Sequence, residues 1–391
     1  MSNFDLKYYR DSYLTEYASQ VVSCEKQDKG YAVVLSDTIF YPEGGGQKCD
    51  TGYLDDVRVF DVQEKNDVVI HYCEEALEVG KNVLGRIDWQ RRFDNMQNHT
   101  GEHIVSGLIH KNFGYENVGF HMGDAVQIDF NGPLNWQQVM QIEEEANRVI
   151  QSNYPIRQLF PDSEELESMS YRSKKALKGV VRLVEVPNAD LCACCGTHVR
   201  FTGEVGVIKI LSAEKHRNGT RLVMYSGRKC HEYLAQVYEQ ARSVSETLSA
   251  PVLNIGEYVS ELNERNGELT SQLNQLKMEV LMEGLKDIED GQYLCLQFLK
   301  DYDRNSITRY LDSLIKNGKG IIAGVINEKA NGYEYKFISD TVKLREYAGK
   351  INEALDGRGG GKDNVIQGSI RGDRKTIEEK VREVFGRNDY E

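Results

Sequence analysis

Residues 96–107 read MQNHTGEHIVSG, and the fold turns on this stretch. Upstream of it apolar residues recur at every second position, the strand period. Across RIDWQRRFDNMQ (86–97) the spacing lengthens, and it stays helical through HTGEHIVSGLIHKNFG (99–114). On that helix His99 and His103 stand at i and i+4, so both imidazoles share one face. A β region followed by a helix that presents paired imidazoles predicts an α+β chain.

Working outward, YAVVL (31–35), TIFY (38–41), VRVFDV (57–62) and VVIHY (68–72) are short β-type runs. PEGGGQKCDTG (42–52) and EKND (64–67) punctuate them. They predict an N-terminal antiparallel, barrel-like domain over residues 1–88. From 89 to 240 helix and strand mix. GFHMGDAVQIDF (119–130) reads as a strand pair, and NWQQVMQIEEEANRVI (135–150) as a helix with Asn135 as N-cap and an apolar stripe of Trp136, Val139, Ile142, Ala146 and Val149. VVRLVEV (180–186) and VGVIKIL (205–211) are further strands. In 241–290, Ile255, Val259, Leu262, Asn266, Leu269, Leu273, Leu276 and Val280 follow alternating four- and three-residue steps. That is a heptad seam with one Asn in it, suited to an intramolecular helical hairpin or to a dimer contact. Gly256 and Gly267 weaken the helix. Residues 291–391 alternate strand and helix through YLCLQFL, SITRYLDSLIKN, GIIAGVI, YEYKFIS and TVKLREYAGKINEAL to DGRGGGKDN, a small α/β domain.

CCGTH (194–198) repeats the four-residue spacing, with Cys194 and His198 at its ends. With His99 and His103 it offers one thiolate and three imidazoles, a donor set suited to tetrahedral zinc. Cys195 is the alternative thiolate, and Cys194 matches the spacing of the histidine pair. HTGEH also fits the inverted zinc-peptidase signature, in which Glu102 would act as base beside an open metal position. Four protein ligands leave no such position, and on a helix Glu102 points away from the imidazole face, so it is a weak catalytic candidate. His121, on the strand pair after the metal helix, is expected in the cleft wall.

The chain has 391 residues, enough for two or three domains, and a net charge of −13, which argues against nonspecific coating of nucleic acid. It lacks an apolar run long enough to span a bilayer, and MSNFDLKYYR has no apolar h-region. The 8 cysteines are scattered apart from the knot LCACCGTH, unlike a disulfide framework. A cytoplasmic protein is the expectation. Within the acidic chain, residues 172–229 form a basic island that includes Lys174, Lys175 and Lys178, with Arg182 and Arg217 as expected phosphate contacts.

TIFYPEGGGQKCDTG, NHTGEH, CCGTHVRFTGEVG, RNGTRLVMYSG and DGRGGGKDNVIQGS, in this order, resemble the motifs of the editing half of alanyl-tRNA synthetase. More closely, the chain resembles the long form of the free-standing AlaX alanyl-tRNA editing proteins over nearly its whole length. The resemblance implies a zinc-dependent hydrolase acting in trans, without ATP, on tRNA(Ala) mischarged with serine and secondarily with glycine. It implies Thr38 as the contact to the serine hydroxyl, and Gly44, Gly45 and Gly46 as a loop whose backbone approaches the terminal ribose or adenosine. It also implies a DHHA1-like tail, in which Arg358 and Lys362 give a second tRNA contact, and a homodimer through the coiled coil or that tail. The family pattern is CGGTH where this chain has CCGTH. No class II aminoacylation motif precedes the β domain, so deacylation without charging is expected. The alternative is a noncatalytic tRNA-binding module with structural zinc.

Overall fold

The computed structural model describes residues 6–173 and 180–386. Lys174, Lys175 and Lys178 of the basic island lie outside the described residues. The chain divides into two compact units, Met1–Arg242 and Ser243–Glu391.

The first unit opens with the short helix α1 (Lys7–Arg10) and a closed six-stranded barrel of β1 (Glu16–Lys26), β2 (Tyr31–Leu35), β3 (Gly52–Leu54), β4 (Val57–Lys65), β5 (Val68–Cys73) and β6 (Asn82–Ile87). The barrel order is β1-β2-β5-β4-β3-β6, with β6 pairing back onto β1. TIFY, expected as a strand, has no ladder. Its Ile39, Phe40 and Tyr41 are buried in the barrel core, and the Tyr41 N–H donates to Asp50 Oδ2 at 2.7 Å. The run is apolar because it plugs the barrel.

α2 (Trp89–Phe113) follows and ends at Gly114, whose left-handed φ of 70° closes the helix. β7 (Asn117–Met122) and β8 (Val126–Phe130) form the expected hairpin, and α3 (Trp136–Gln151) carries the expected Asn135 capping box with Gln138. Val139, Ile142, Ala146 and Val149 are buried, whereas Trp136, in the first turn, is half exposed. β9 (Arg157–Leu159), α4 (Ser163–Ser168), β10 (Leu183–Val186) and β11 (Asp190–Ala193) come next, and the three strands make a sheet in the order β11-β10-β9. β12 (Ile208–His216) and β13 (Gly219–Ser226) complete a four-stranded sheet, β12-β13-β8-β7, before α5 (Gly227–Leu248). Met96, Ile104 and Leu108 of α2 share one core with Val139 and Ile142 of α3 and with Ile128, Ile210 and Leu222 of that sheet.

In the second unit α6 (Ile255–Gly284) is one continuous helix. β14 (Gln292–Lys300), α7 (Arg304–Lys316), β15 (Gly320–Lys329), β16 (Gly332–Ile338), α8 (Arg345–Ala354), β17 (Arg358–Lys362), β18 (Val365–Ile370) and α9 (Arg374–Phe385) follow. The sheet order is β14-β15-β16-β18-β17, and only the β14–β15 pair, which α7 connects, is parallel. Among the described residues no helix is long and apolar enough to cross a membrane.

Candidate metal centre

α2 is buried on every face from Arg92 to Ile109 apart from Phe93. A core helix carrying Gln97, Asn98, His99, Thr100, Glu102 and His103 must give each polar group a partner. Gln97 donates to Glu204 O at 2.8 Å, and Asn98 accepts the Ser226 N–H at 3.2 Å. His99 and His103 point to the loop after β11, where Cys194 and His198 meet them. One ligand atom from each of these four residues lies within 4.8 Å of the others, and the group can hold a metal ion. Cys194 Sγ lies 3.5 Å from His99 Nε2 and 3.3 Å from His198 Nε2. A tetrahedral ion with bonds of about 2.0 Å to nitrogen and 2.3 Å to sulfur needs such edges to be roughly 3.6 Å. The donor set therefore fits an ion in both chemistry and spacing.

The far side of each imidazole is also held. His99 Nδ1 lies 2.9 Å from Gln47 Oε1, His103 Nδ1 lies 2.8 Å from Asp190 Oδ2, and His198 Nδ1 lies 3.1 Å from Thr100 Oγ1. These contacts aim the three Nε2 atoms inward. Gln47 comes from the glycine-rich loop of the barrel. It also donates to Thr197 Oγ1 at 2.8 Å and accepts the Thr197 N–H at 3.1 Å, so a single amide ties that loop to both ligand motifs. Burial alone would raise the Cys194 thiol, but the imidazoles of His99, His103 and His198 overcome it and bring the thiol well below its usual range. Burial opposes charge on His103, yet the Cys194 thiolate and Asp190 push it up to about 10, while burial takes His198 down to about 3. The cluster thus draws positive charge to its centre, the field a cation requires.

The other expected site residues are placed as follows. Thr38 is buried inside the barrel, where its hydroxyl lies 2.8 Å from His71 Nε2 and accepts the Phe40 N–H at 3.0 Å. Burial lowers His71 to about 4, so its ring is neutral, and a ligand reaching Thr38 would compete with this pair. Gly44, Gly45 and Gly46 form a tight loop. Gly46, at φ 87°, lies so close to Phe120 that an added Cβ would meet its ring at 2.4 Å. His121 is exposed. Strand alternation instead turns its neighbour Phe120 to the site, 5.3 Å from the His99 ring. Glu102 is buried, its Oε1 accepts from Ser106 at 2.7 Å and from Asn117, and its Oε2 lies 4.0 Å from His103 Nε2.

Arg182 is not a surface cation. It is 3% exposed and donates to Cys194 O at 2.7 Å, Gly196 O at 2.9 Å and Gln158 at 3.0 Å, holding the ligand loop from behind. Much of the basic island is likewise paired. Arg172 binds Asp190, Arg200 binds Asp11, Lys209 binds Glu143, Arg221 binds Asp129 and Arg228 binds Asp94. Of these acids only Asp190 lies inside the 172–229 window, so counting charge along the chain overstated the island. Arg217 is exposed on the β12–β13 turn, and Arg358 and Lys362 are exposed on β17.

Known families match along the chain in the same order. Residues 9–91 match the class II (A) tRNA synthetases, 181–223 the threonyl and alanyl tRNA synthetase second additional domain, and 290–386 the DHHA1 domain. The barrel and the candidate metal centre thus have the domain composition of a tRNA-synthetase-related protein. The chain is 29% identical to alanyl-tRNA editing protein AlaX-L of Pyrococcus horikoshii over 400 residues, 97% of this chain and 96% of that one. It is 31% identical to alanyl-tRNA editing protein Aarsd1 of Mus musculus over 289 residues, 69% of each. Alanine–tRNA ligase of Thermofilum pendens is 31% identical over 411 residues, which cover 98% of this chain and 44% of the ligase. The chain belongs to the family of alanyl-tRNA editing proteins.

Proposed function

We propose that this protein is an aminoacyl-tRNA deacylase that hydrolyses, in trans, the ester of tRNA(Ala) mischarged with serine and also with glycine, using a zinc ion held by His99, His103, Cys194 and His198. The observation that carries the reading is the convergence of these four donors within 4.8 Å in a chain of the editing family. When bound, zinc supplies Lewis acidity and a point of attachment for the substrate's polar groups. The aminoacyl ester is already activated, so orienting it and excluding bulk water supply much of the catalysis. The aromatic face of Phe120 and the Gly44–Gly46 loop border the ligand cluster and suit the terminal adenosine. Ser106 and Asn117 hold Glu102 Oε1, while its Oε2 lies on the cluster side of His103, 4.0 Å from Nε2; the two fixed hydrogen bonds favour a supporting part for it over proton transfer. An alanine-activating site rejects serine poorly and cannot exclude glycine by size, and that gives such a hydrolase its purpose.

Arg217 and, in the tail, Arg358 and Lys362 are the exposed cations assigned to phosphate. Arg358 borders a cavity of about 360 Å³ together with Arg304 and Lys336, which supports a backbone contact there. The partner for α6 is a second copy of the chain. Leu262, Leu269, Leu273, Leu276 and Val280 are 52–66% exposed. Leu262, Leu269 and Leu276 occupy d positions, and Val259, Asn266, Leu273 and Val280 occupy a positions, the pattern of a parallel pair with one register-setting Asn. Glu257, Glu261, Glu264 and Glu268 fall at c and f, off the seam. Sedimentation equilibrium should give a dimer for the full chain and a monomer for Leu269→Glu. A parent protein that stays monomeric would remove the pairing.

Deacylation of seryl-, glycyl- and alanyl-tRNA(Ala) tests the enzymatic reading. The zinc-loaded protein should release serine and glycine and spare alanine. Cys194→Ala should lose zinc and turnover together, and Cys195→Ala should keep both. An unchanged seryl-ester half-life at saturating, zinc-loaded protein would leave a noncatalytic tRNA-binding module.

A further inference from the structure

Asp190 stands apart from the other groups that hold the ligand histidines. His99 and His198 rest against the uncharged Gln47 and Thr100, whereas His103 rests against a carboxylate. Asp190 and Arg172 are both 8% exposed. The guanidinium grips the carboxylate with both arms, Nε to Oδ1 at 2.7 Å and Nη2 to Oδ2 at 2.8 Å. Arg172 is itself fixed by backbone, since its N–H donates to Leu191 O at 2.8 Å and its carbonyl accepts the Ala193 N–H at 2.9 Å. A bidentate pair of this kind locks the plane of the carboxylate. His103, Asp190 and Cys192 also lie close enough together to suggest a second cation site. The guanidinium already occupies both carboxylate oxygens, so an ion there would have to displace a bidentate cation, and the grouping is better explained as support for His103.

Building on the metal reading above, we propose that Asp190, clamped by Arg172, is the positioning residue that fixes His103 for the ion and sets how tightly the site holds it. A carboxylate accepting from Nδ1–H commits the ring to donating through Nε2 and strengthens that donor. Arg172 keeps the carboxylate at the angle that Nδ1 requires. Thr100 does the same for His198 without a charge, so its contribution to affinity is smaller.

The test is zinc affinity by chelator competition on the full chain, together with the visible spectrum of the cobalt(II)-loaded protein. Asp190→Asn should bind zinc about 10–100-fold more weakly, the usual effect of removing such an outer partner. Its cobalt bands should move, a change that loss of fold stability alone would not cause. Thr100→Val should lose less. Should Asp190→Asn fail to fold, long-range proton–nitrogen NMR of the zinc-loaded parent protein decides the matter, because the proposal requires His103 to carry its proton on Nδ1. Metal bound through Nδ1, or an Asp190→Asn affinity equal to the parent's, overturns the proposal alone. A parent protein that binds no zinc overturns the metal reading as well.

Discussion

Arg92→Met should destabilise the first unit by about 3–5 kcal/mol, the cost of leaving a buried charge without its partner. Arg92 and Asp50 are both 0% exposed. The guanidinium binds both oxygens of Asp50, and it also donates to Ser12 O at 2.8 Å and to Ile39 O at 2.5 Å. Methionine fills similar volume, so the loss is electrostatic. One carboxylate and two carbonyls are stranded away from water. Asp50 also accepts the Tyr41 N–H, so the barrel plug loosens along with the helix–barrel joint. For a unit of this size the melting temperature should fall by roughly 6–20 °C. Denaturant unfolding measures the change. A loss below about 1 kcal/mol, the range of exposed ion pairs, would mean that water reaches the pair.

The two residue pairs that converge in the cluster were legible in the sequence because each is a local spacing, four residues apart on a helix or a turn. The groups that hold them were not legible. Gln47 precedes His99 by 52 positions, and Asp190 follows His103 by 87, so no period links them. One signal was available: Gln47 adjoins the glycine loop and Asp190 lies four residues before Cys194. Phe120 was missed in favour of His121 because a strand displays successive residues on opposite faces, and sequence alone does not say which face is inward. β1 buries Ser19 as well as Val21 and exposes Val22, so apolar alternation was weak in its sequence, whereas TIFY, with Ile39, Phe40 and Tyr41, looked like a strand and proved to be a plug. The charge of the basic island was overstated for a related reason. Arg200, Lys209, Arg221 and Arg228 find acids from distant segments, and a charge count along the chain cannot see them.

Gly196→Ala should empty the proposed zinc site although no donor residue is replaced. A Cβ at residue 196 would sit 2.0 Å from Cε1 and 2.2 Å from Nδ1 of His99, and 2.9 Å from Gln47 Oε1. No real contact survives at such distances, so something must move. The ligand loop is the stiffer side, because Arg182 holds the carbonyls of Cys194 and Gly196, and the Gly196 N–H donates to Cys194 Sγ at 3.2 Å. His99 would therefore swing away, losing its Gln47 contact and its place in the cluster in one step. Losing a whole ligand should weaken zinc binding by more than the roughly 10–100-fold expected for an outer partner. Gly44→Ala is the matched control, since its Cβ would meet nothing nearer than Tyr41 Oη at 3.7 Å. Zinc content by atomic emission after dialysis should separate the two variants. A Gly196→Ala protein that keeps its full complement of zinc would show that His99 has room to spare, and with it that the tight packing of loop against helix is not what holds the ion.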